Sequence, residues 1–351
     1  VLTSLLVLSF LIFFHELGHF LAARFLGVKV EVFSIGFGKK LLSRTWRETE
    51  YRLSAIPLGG YVQMKGQDDS DPTKISLDND SFSGKSPFKR IVILAAGPFA
   101  NFLLAFLLYI VIASLGVPKL APDIGNIGEN SAAAQAGLMQ HDTILAINNQ
   151  SITSWDEIKP IVTQSSGAIE LLIKRGDQTR LLTLTPRVSD TETIFGEHIQ
   201  ARLIGISPSG ETVTLYFGGL ESLEYAWHET KRAATLIVQS LQKMIEGVVS
   251  PKEMGGVIAI VQVTSDAAAA GIVTLFMLTA LISVNLGVIN LFPIPALDGG
   301  HIMFNLYEMI MRRPPNEAVY AKMTYIGWGL LLSLMAFTII NDILRLSGAY
   351  Q

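Results

Sequence analysis

The sequence predicts a polytopic α-helical membrane protein. It has four transmembrane helices, a membrane-associated β-hairpin and an extracytoplasmic α+β domain. Three observations carry this. Half of the 351 residues are hydrophobic and only 16% are charged, against about 25% in an average soluble domain. Mean hydropathy is +0.41. Four runs, residues 2–22, 91–115, 271–291 and 323–344, reach the roughly 20 apolar residues a helix needs to cross a bilayer. Between the second and third lies a more polar, turn-rich stretch long enough for one modest domain. This divides the chain into 1–115, 116–190, 191–255 and 256–351. The net charge of −3 points to no nucleic-acid partner. The absence of cysteine excludes disulfides, thiol catalysis and Cys-ligated metals.

The first run lacks a basic leader and a cleavage site, so it reads as a retained span. It contains His15-Glu16-Leu17-Gly18-His19. On a helix, residues four apart share a face, so both imidazoles reach one Zn²⁺, with Glu16 placed to take a proton from a metal-bound water. The alternative is a pair of satisfied core histidines. An acidic residue near the middle of a span costs about 2.5–3.5 kcal/mol on insertion scales, which favours the metal.

Basic residues orient the spans. Arg24, Lys29, Lys39, Lys40, Lys74, Lys85, Lys89 and Arg90 flank the first two on one side, Lys119 and Lys252 lie close to the membrane on the other, and Arg312, Arg313 and Lys322 lie between the last two. Residues 23–90 and 305–322 are then cytoplasmic, and 116–270 and both termini extracytoplasmic. In the first cytoplasmic loop, 28–38 alternates like a strand, and 50–64 reads as two short strands around a Pro57–Gly60 turn. Their apolar content suggests a hairpin dipping toward the membrane, where backbone must be paired or buried. A plain surface hairpin is the alternative. Residues 67–86 form an acidic loop with Asp68, Asp69, Asp71, Asp78 and Asp80.

The second span carries Gly97-Pro98-Phe99-Ala100-Asn101. Small residues there allow close helix packing, and Asn101 reads as an interhelical hydrogen bonder. Residues 118–188 give, after Ile124–Gly128, a short helix over 131–137 with a glycine stop, a strand at 143–148, an Asn-rich turn, a strand-like 151–153, a helix near 155–163 and a hairpin of 169–174 with 180–184. This order resembles a PDZ domain of the permuted bacterial type, with His141-Asp142 where such domains usually have Gly-Asp. The resemblance implies a groove that takes an extended peptide or a C-terminus by strand addition; the alternative is a β-rich spacer. Two further strands are expected at 199–206 and 212–217. Leu220, Leu223, Trp227, Ala234, Ile237, Leu241 and Met244 mark one face of an amphipathic helix that packs on the domain or lies on the membrane. Residues 254–260 read as a glycine-led strand.

The third span ends in Asn290-Leu-Phe-Pro293-Ile-Pro295-Ala-Leu-Asp298-Gly299-Gly300-His301. The prolines end the helix and the glycines permit a tight turn. Zinc hydrolases commonly use three protein ligands and leave the fourth position to water. Asp298 is the best-placed third ligand beside His15 and His19; its alternative role is to cap a turn.

HELGH on the first span, IPLGGYV, GPFAN, the PDZ-like insertion and NLFPIPALDGGH, in that order across nearly the whole chain, resemble the site-2 protease family of intramembrane zinc metalloproteases. The bacterial sigma-E-regulating (RseP-type) branch is the most similar. The resemblance implies one Zn²⁺ per chain on His15, His19 and Asp298, with Glu16 as catalytic base. It implies that Asn290, with Pro293, holds the substrate strand, and that the 50–64 hairpin (Gly59, Gly60) and the 255–260 segment (Gly255, Gly256) unwind and clamp it. The implied reaction cuts a transmembrane segment of a single-span substrate, such as an anti-sigma factor or a remnant signal peptide, in the bacterial inner membrane. Two rival readings stand. One is a membrane zinc protease cutting soluble or juxtamembrane segments, disfavoured by an HExxH inside a span. The other is a catalytically idle PDZ scaffold, disfavoured by the complete His15/Glu16/His19/Asp298 set.

Overall fold

The computed structural model describes residues 2–67 and 76–348. Of the acidic loop, Asp68, Asp69 and Asp71 lie outside the described residues; Asp78 and Asp80 both pair with Lys65, at 2.8 and 2.7 Å. The chain divides into two compact units. A membrane unit comprises Val1–Ile112, Gly219–Met244 and Ser250–Gln351, and an α+β unit comprises Ala113–Gly218 and Ile245–Val249.

The membrane unit opens with α1 (Leu2–Phe25), β1 (Val30–Trp46), β2 (Thr49–Met64) and α2 (Pro87–Leu115). Apart from His15, Glu16, His19 and Arg24, helix α1 is almost wholly apolar, as a helix long enough to cross a bilayer is; Leu2, Leu6, Phe10 and Leu21 are exposed. It packs closely on α2. A side-chain carbon added at Gly18 would stand 2.2 Å from the Ala96 carbonyl oxygen and 2.8 Å from the Ala100 Cβ, so only glycine permits this approach.

The two strands pair differently from the sequence expectation. The reversal is at Arg47-Glu48, where Trp46 faces Thr49 and Arg47 is left-handed at φ 49°. The chain turns back a second time at the expected Pro57–Gly60 stretch, but the two halves of β2 that flank this turn are not paired with each other. As a result the start of β1 lies between the two halves of β2: Phe33 is opposite both Tyr51 and Val62, and Ser34 opposite both Arg52 and Tyr61. At this second turn, Gly59 has φ +151°, and a side chain there would run into the Phe37 ring.

The α+β unit comprises β3 (Val117–Leu120), β4 (Ile124–Ile127), α3 (Ala132–Gln135), β5 (Thr143–Ile147), β6 (Gln150–Ser151), α4 (Ile158–Gln164), β7 (Ile169–Arg175), β8 (Gln178–Leu184), β9 (Arg187–Glu192), β10 (His198–Leu203), β11 (Ile206–Pro208) and β12 (Thr212–Leu215). Ser131 caps α3 by accepting from the Ala134 N–H. A four-stranded sheet runs β6-β5-β7-β8, while β11 pairs with β4 and β12 with β3. The unit therefore extends to Gly218 rather than ending at 190, because the later strands close onto its opening ones. Its core is Ile124, Ile144, Ile147, Ile158, Ile169, Leu171 and Ile173, with Ile204 from the added segment.

Asp142 is completely buried in this unit. Arg175 binds it in two-pronged fashion, Nε to Oδ1 and Nη2 to Oδ2, both at 2.7 Å, and the Met139 N–H adds a third bond at 2.8 Å. Burial pushes the carboxyl up, but the Arg175 bonds and then the Met139 N–H outweigh it and hold it below the usual range. Stability from this pair is present above the unfolded carboxyl value of about 4 and is lost as pH falls through the lower folded value. Asp142→Asn removes the charge and leaves Arg175 without its ion pair, still bonded to the Gly137 carbonyl at 2.7 Å. We expect it to destabilise the unit by about 2–3 kcal/mol at neutral pH and to flatten its acid dependence. Hydrogen exchange of the β5 and β7 amides in the full chain reads both.

After the α+β unit come α5 (Leu220–Ile245), α6 (Val257–Ala270), α7 (Ile272–Asn290), α8 (Asp298–Met311) and α9 (Glu317–Leu346). Helices α1, α2, α7 and α9 are long and apolar enough to cross a membrane. In α5 the buried stripe is small, Ser222, Ala226, Thr230 and Ala233, whereas Leu220, Leu223 and Trp227 of the expected apolar face are exposed.

The expected strand at 254–260 is not formed. Gly255 and Gly256 lead into α6, with Gly256 as its N-cap. Asp342, buried near the end of α9, accepts from the N–H groups of Gly256, Ile258 and Ala259 at 2.9, 3.0 and 3.1 Å. A carboxylate at a helix N-terminus satisfies orphan donors and complements the dipole. Gly256 has no room for a side chain, since an added carbon would stand 2.7 Å from Asp342 Oδ2 and 2.9 Å from the Thr338 backbone. These glycines cap a helix rather than offer a clamping strand.

Candidate metal centre

Helix α1 presents His15 and His19 one turn apart, rings 4.8 Å between centroids and nearly perpendicular. Their Nε2 atoms are 3.2 Å apart. Asp298 Oδ2 lies 3.2 Å from His15 Nε2 and 3.5 Å from His19 Nε2. Among the described residues, this is the one group of three or more His, Cys, Asp or Glu whose ligand atoms converge. The metal fits it on two counts. Asp298 Oδ2 is buried without a hydrogen-bond partner, which is costly unless a cation satisfies it. And the sides of the triangle match the edge of a tetrahedron with zinc–ligand bonds near 2.05 Å, about 3.3 Å.

Asp298 is brought there by close packing. It opens α8, with Ala296 left-handed at φ 87° just before it. The expected tight turn at Gly299-Gly300 is instead the first turn of α8, pressed onto the connection that follows α7. A side-chain carbon at Gly299 would stand 2.2 Å from the Phe292 carbonyl oxygen, and one at Gly300 2.4 Å from that of Ile294. Helix α9 closes the other side, where the same test at Gly327 gives 1.5 Å to the Pro295 carbonyl oxygen. Asn290 ends α7, and Pro293 lies in the connection to Asp298.

Helix α2 supplies the support. His19 Nδ1 lies 2.9 Å from the Ile93 carbonyl oxygen, which can only accept. That fixes the proton on Nδ1 and leaves the Nε2 lone pair for a metal. His15 Nδ1 lies 3.2 Å from Asn101 Nδ2. Gly97 faces His19 so closely that an added side-chain carbon would be 2.2 Å from Nε2. The sequence marks Gly97 as a packing residue and Asn101 as an interhelical hydrogen bonder, which it is, but does not tie either to the histidines. Their spacing of four on α2 matches the spacing of the histidines on α1, and that correspondence is the signal that could have found them.

Glu16 is half-buried on the same turn. The inner half of β2 comes to it through Gly60, whose added carbon would lie 2.8 Å from the Ser34 carbonyl oxygen and 3.4 Å from Glu16 Cγ. So the structure brings His15, His19 and Asp298 together, with Glu16 and Gly60 adjacent, and places Gly255 and Gly256 at the α6 cap.

Residues 3–334 match the sequence profile of peptidase family M50. The chain is 52% identical over 347 residues to a Campylobacter jejuni protein bearing the name "Putative zinc metalloprotease", covering 99% of this chain and 94% of that one. A Helicobacter pylori protein of the same name is 42% identical over 355 residues, covering 98% and 99%. One from Clostridium acetobutylicum is 37% identical over 346 residues, covering 98% and 97%. A profile matched over almost the whole length and relatives aligned end to end place this chain in peptidase family M50, the site-2 protease family.

Proposed function

We propose that this protein is a zinc endopeptidase that hydrolyses peptide bonds within the transmembrane segments of single-span membrane proteins. The observation that carries the reading is the position of the candidate ligands inside a span. At 1.5 Å per residue, His15 lies about 20 Å from the first residue of α1, and His19 about 9 Å from its last. A site at that depth meets substrate backbone in the apolar layer.

His15, His19 and Asp298 hold the zinc. When bound, the ion supplies Lewis acidity, making an attacking water more acidic and polarising the scissile carbonyl. Glu16 accepts the proton of that water and returns it to the leaving amine. A peptide bond in a helix has its carbonyl engaged, so the substrate must be unwound locally. The Gly60–Met64 stretch of β2 runs beside Glu16, and no strand pairs with its outer side among the described residues; strand addition there would hold the substrate extended. Asn290 and Pro293, on the approach to Asp298, help keep it in place. The protein resides in the bacterial inner membrane with 23–90 and 305–322 cytoplasmic. The α+β unit, read as a single PDZ-like domain outside the cytoplasm, screens substrates by ectodomain size or by a new C-terminus.

The test is the full chain in liposomes with a single-span reporter, the cut mapped by mass spectrometry. Cleavage inside the apolar segment is expected, stopped by a chelator and restored by zinc. Cleavage confined to residues outside that segment would replace this reading with a juxtamembrane protease.

A further inference from the structure

We infer that Asn101 is a positioning residue that fixes the coordinating tautomer of His15, its side-chain oxygen accepting from His15 Nδ1–H. The inference rests on the zinc reading above. A neutral imidazole that binds a metal through Nε2 carries its proton on Nδ1 and must donate it to an acceptor. For His19 that acceptor is the Ile93 carbonyl oxygen, 2.9 Å away. For His15 the group at Nδ1 is the Asn101 carboxamide, at 3.2 Å.

Asn101 is completely buried. It faces His15 with Nδ2, while its Oδ1 is buried without a partner. Two N–H groups cannot satisfy each other. A half-turn of the carboxamide exchanges its two ends and places oxygen opposite Nδ1–H, giving the metal-competent arrangement. The residue is anchored for this task, because its backbone carbonyl accepts from Ser283 Oγ of α7 at 2.8 Å. Asn101 thus ties α2 to His15 by its side chain and to α7, the helix leading to Asp298, by its backbone. A span interior rarely holds a carboxamide without such a duty.

The experiment measures zinc affinity of the detergent-purified full chain by chelator competition, with thermal melting of the metal-free protein as the folding control. Asn101→Leu keeps the volume and removes the acceptor; zinc affinity is expected to fall 10- to 100-fold. Asn101→Asp keeps an acceptor and is expected to stay within about threefold of the parent, as carboxylate–histidine pairs do. Ser283→Ala tests the anchor and is expected to change affinity by less than the Leu variant. Asn101→Ala replaces the Leu variant if that one does not fold. The inference is overturned if the acceptor-free variant folds and binds zinc like the parent, or if the Asp variant loses zinc as fully as Leu does. A parent chain that binds no zinc would instead remove the reading beneath it.

Discussion

Glu16→Gln is expected to abolish proteolysis while leaving zinc in place. Gln has nearly the same shape and helix propensity as Glu, and the three converging donors, His15, His19 and Asp298, are untouched. What is lost is a carboxylate on the turn that carries both histidines, beside the inner half of β2. Removing a general base costs on the order of 10²–10⁴ in rate, so cleavage of the reporter should fall to the detection limit at unchanged zinc stoichiometry. Glu16→Asp retains the charge but withdraws it by one methylene, and a displacement near 1 Å costs roughly 10². It is therefore expected to lie between parent and Gln. If zinc leaves together with activity, Glu16 is a ligand rather than a base. If activity survives, the proton goes elsewhere and the scissile bond is attacked by another route.

The parts of this molecule that are legible in the sequence are those fixed by local rules. Four spans follow from hydropathy. His15 and His19 follow from helix spacing, and Asp298 from being the carboxylate in a Pro/Gly break at the end of another span. The misreadings share a physical cause, which is that a distant segment decides. Val257, Ile258 and Ile260 are β-branched and follow two glycines, so they read as a strand. They are helical because Asp342 caps them from 84–86 positions away and because α6 packs on neighbouring helices, Val261 accepting from Ser4 of α1. Pro57–Gly60 is a turn as its composition says, but the start of β1 lies between the two halves of β2 that it joins, so the turn between directly paired strands is Arg47-Glu48. The α5 stripe is apolar as its periodicity says; Leu220, Leu223 and Trp227 are exposed, as on a helix lying at a membrane surface, and Ala234, Ile237, Leu241 and Met244 are partly buried. Its fully buried residues are small, since helices approach closely only where side chains are short.

Gly97→Ala separates the fold from the metal by the size of its effect on each. Gly97 lies inside α2, where exchanging glycine for alanine favours the helix by about 1 kcal/mol. Overpacking against the buried His19 ring costs about 1–3 kcal/mol and offsets that gain, so the metal-free protein is expected to fold and to melt at or modestly below the parent temperature. The new methyl would stand 2.2 Å from His19 Nε2, 2.5 Å from Cε1 and 2.8 Å from Cδ2. His19 cannot swing away freely, because Ile93 holds its Nδ1 and the ring is almost wholly buried. Relieving the contact needs a shift of roughly 1 Å in the coordinating nitrogen, whereas a metal site tolerates about 0.2 Å in its ligand distances. Zinc affinity is expected to drop by more than 100-fold and proteolysis with it, in a chain that is otherwise folded. Chelator competition and a melting curve on the same preparation decide the matter. A Gly97→Ala protein that keeps parental zinc affinity would mean that α2 does not back His19 as described. One that loses zinc only by unfolding would mean that Gly97 serves the helix packing and not the metal.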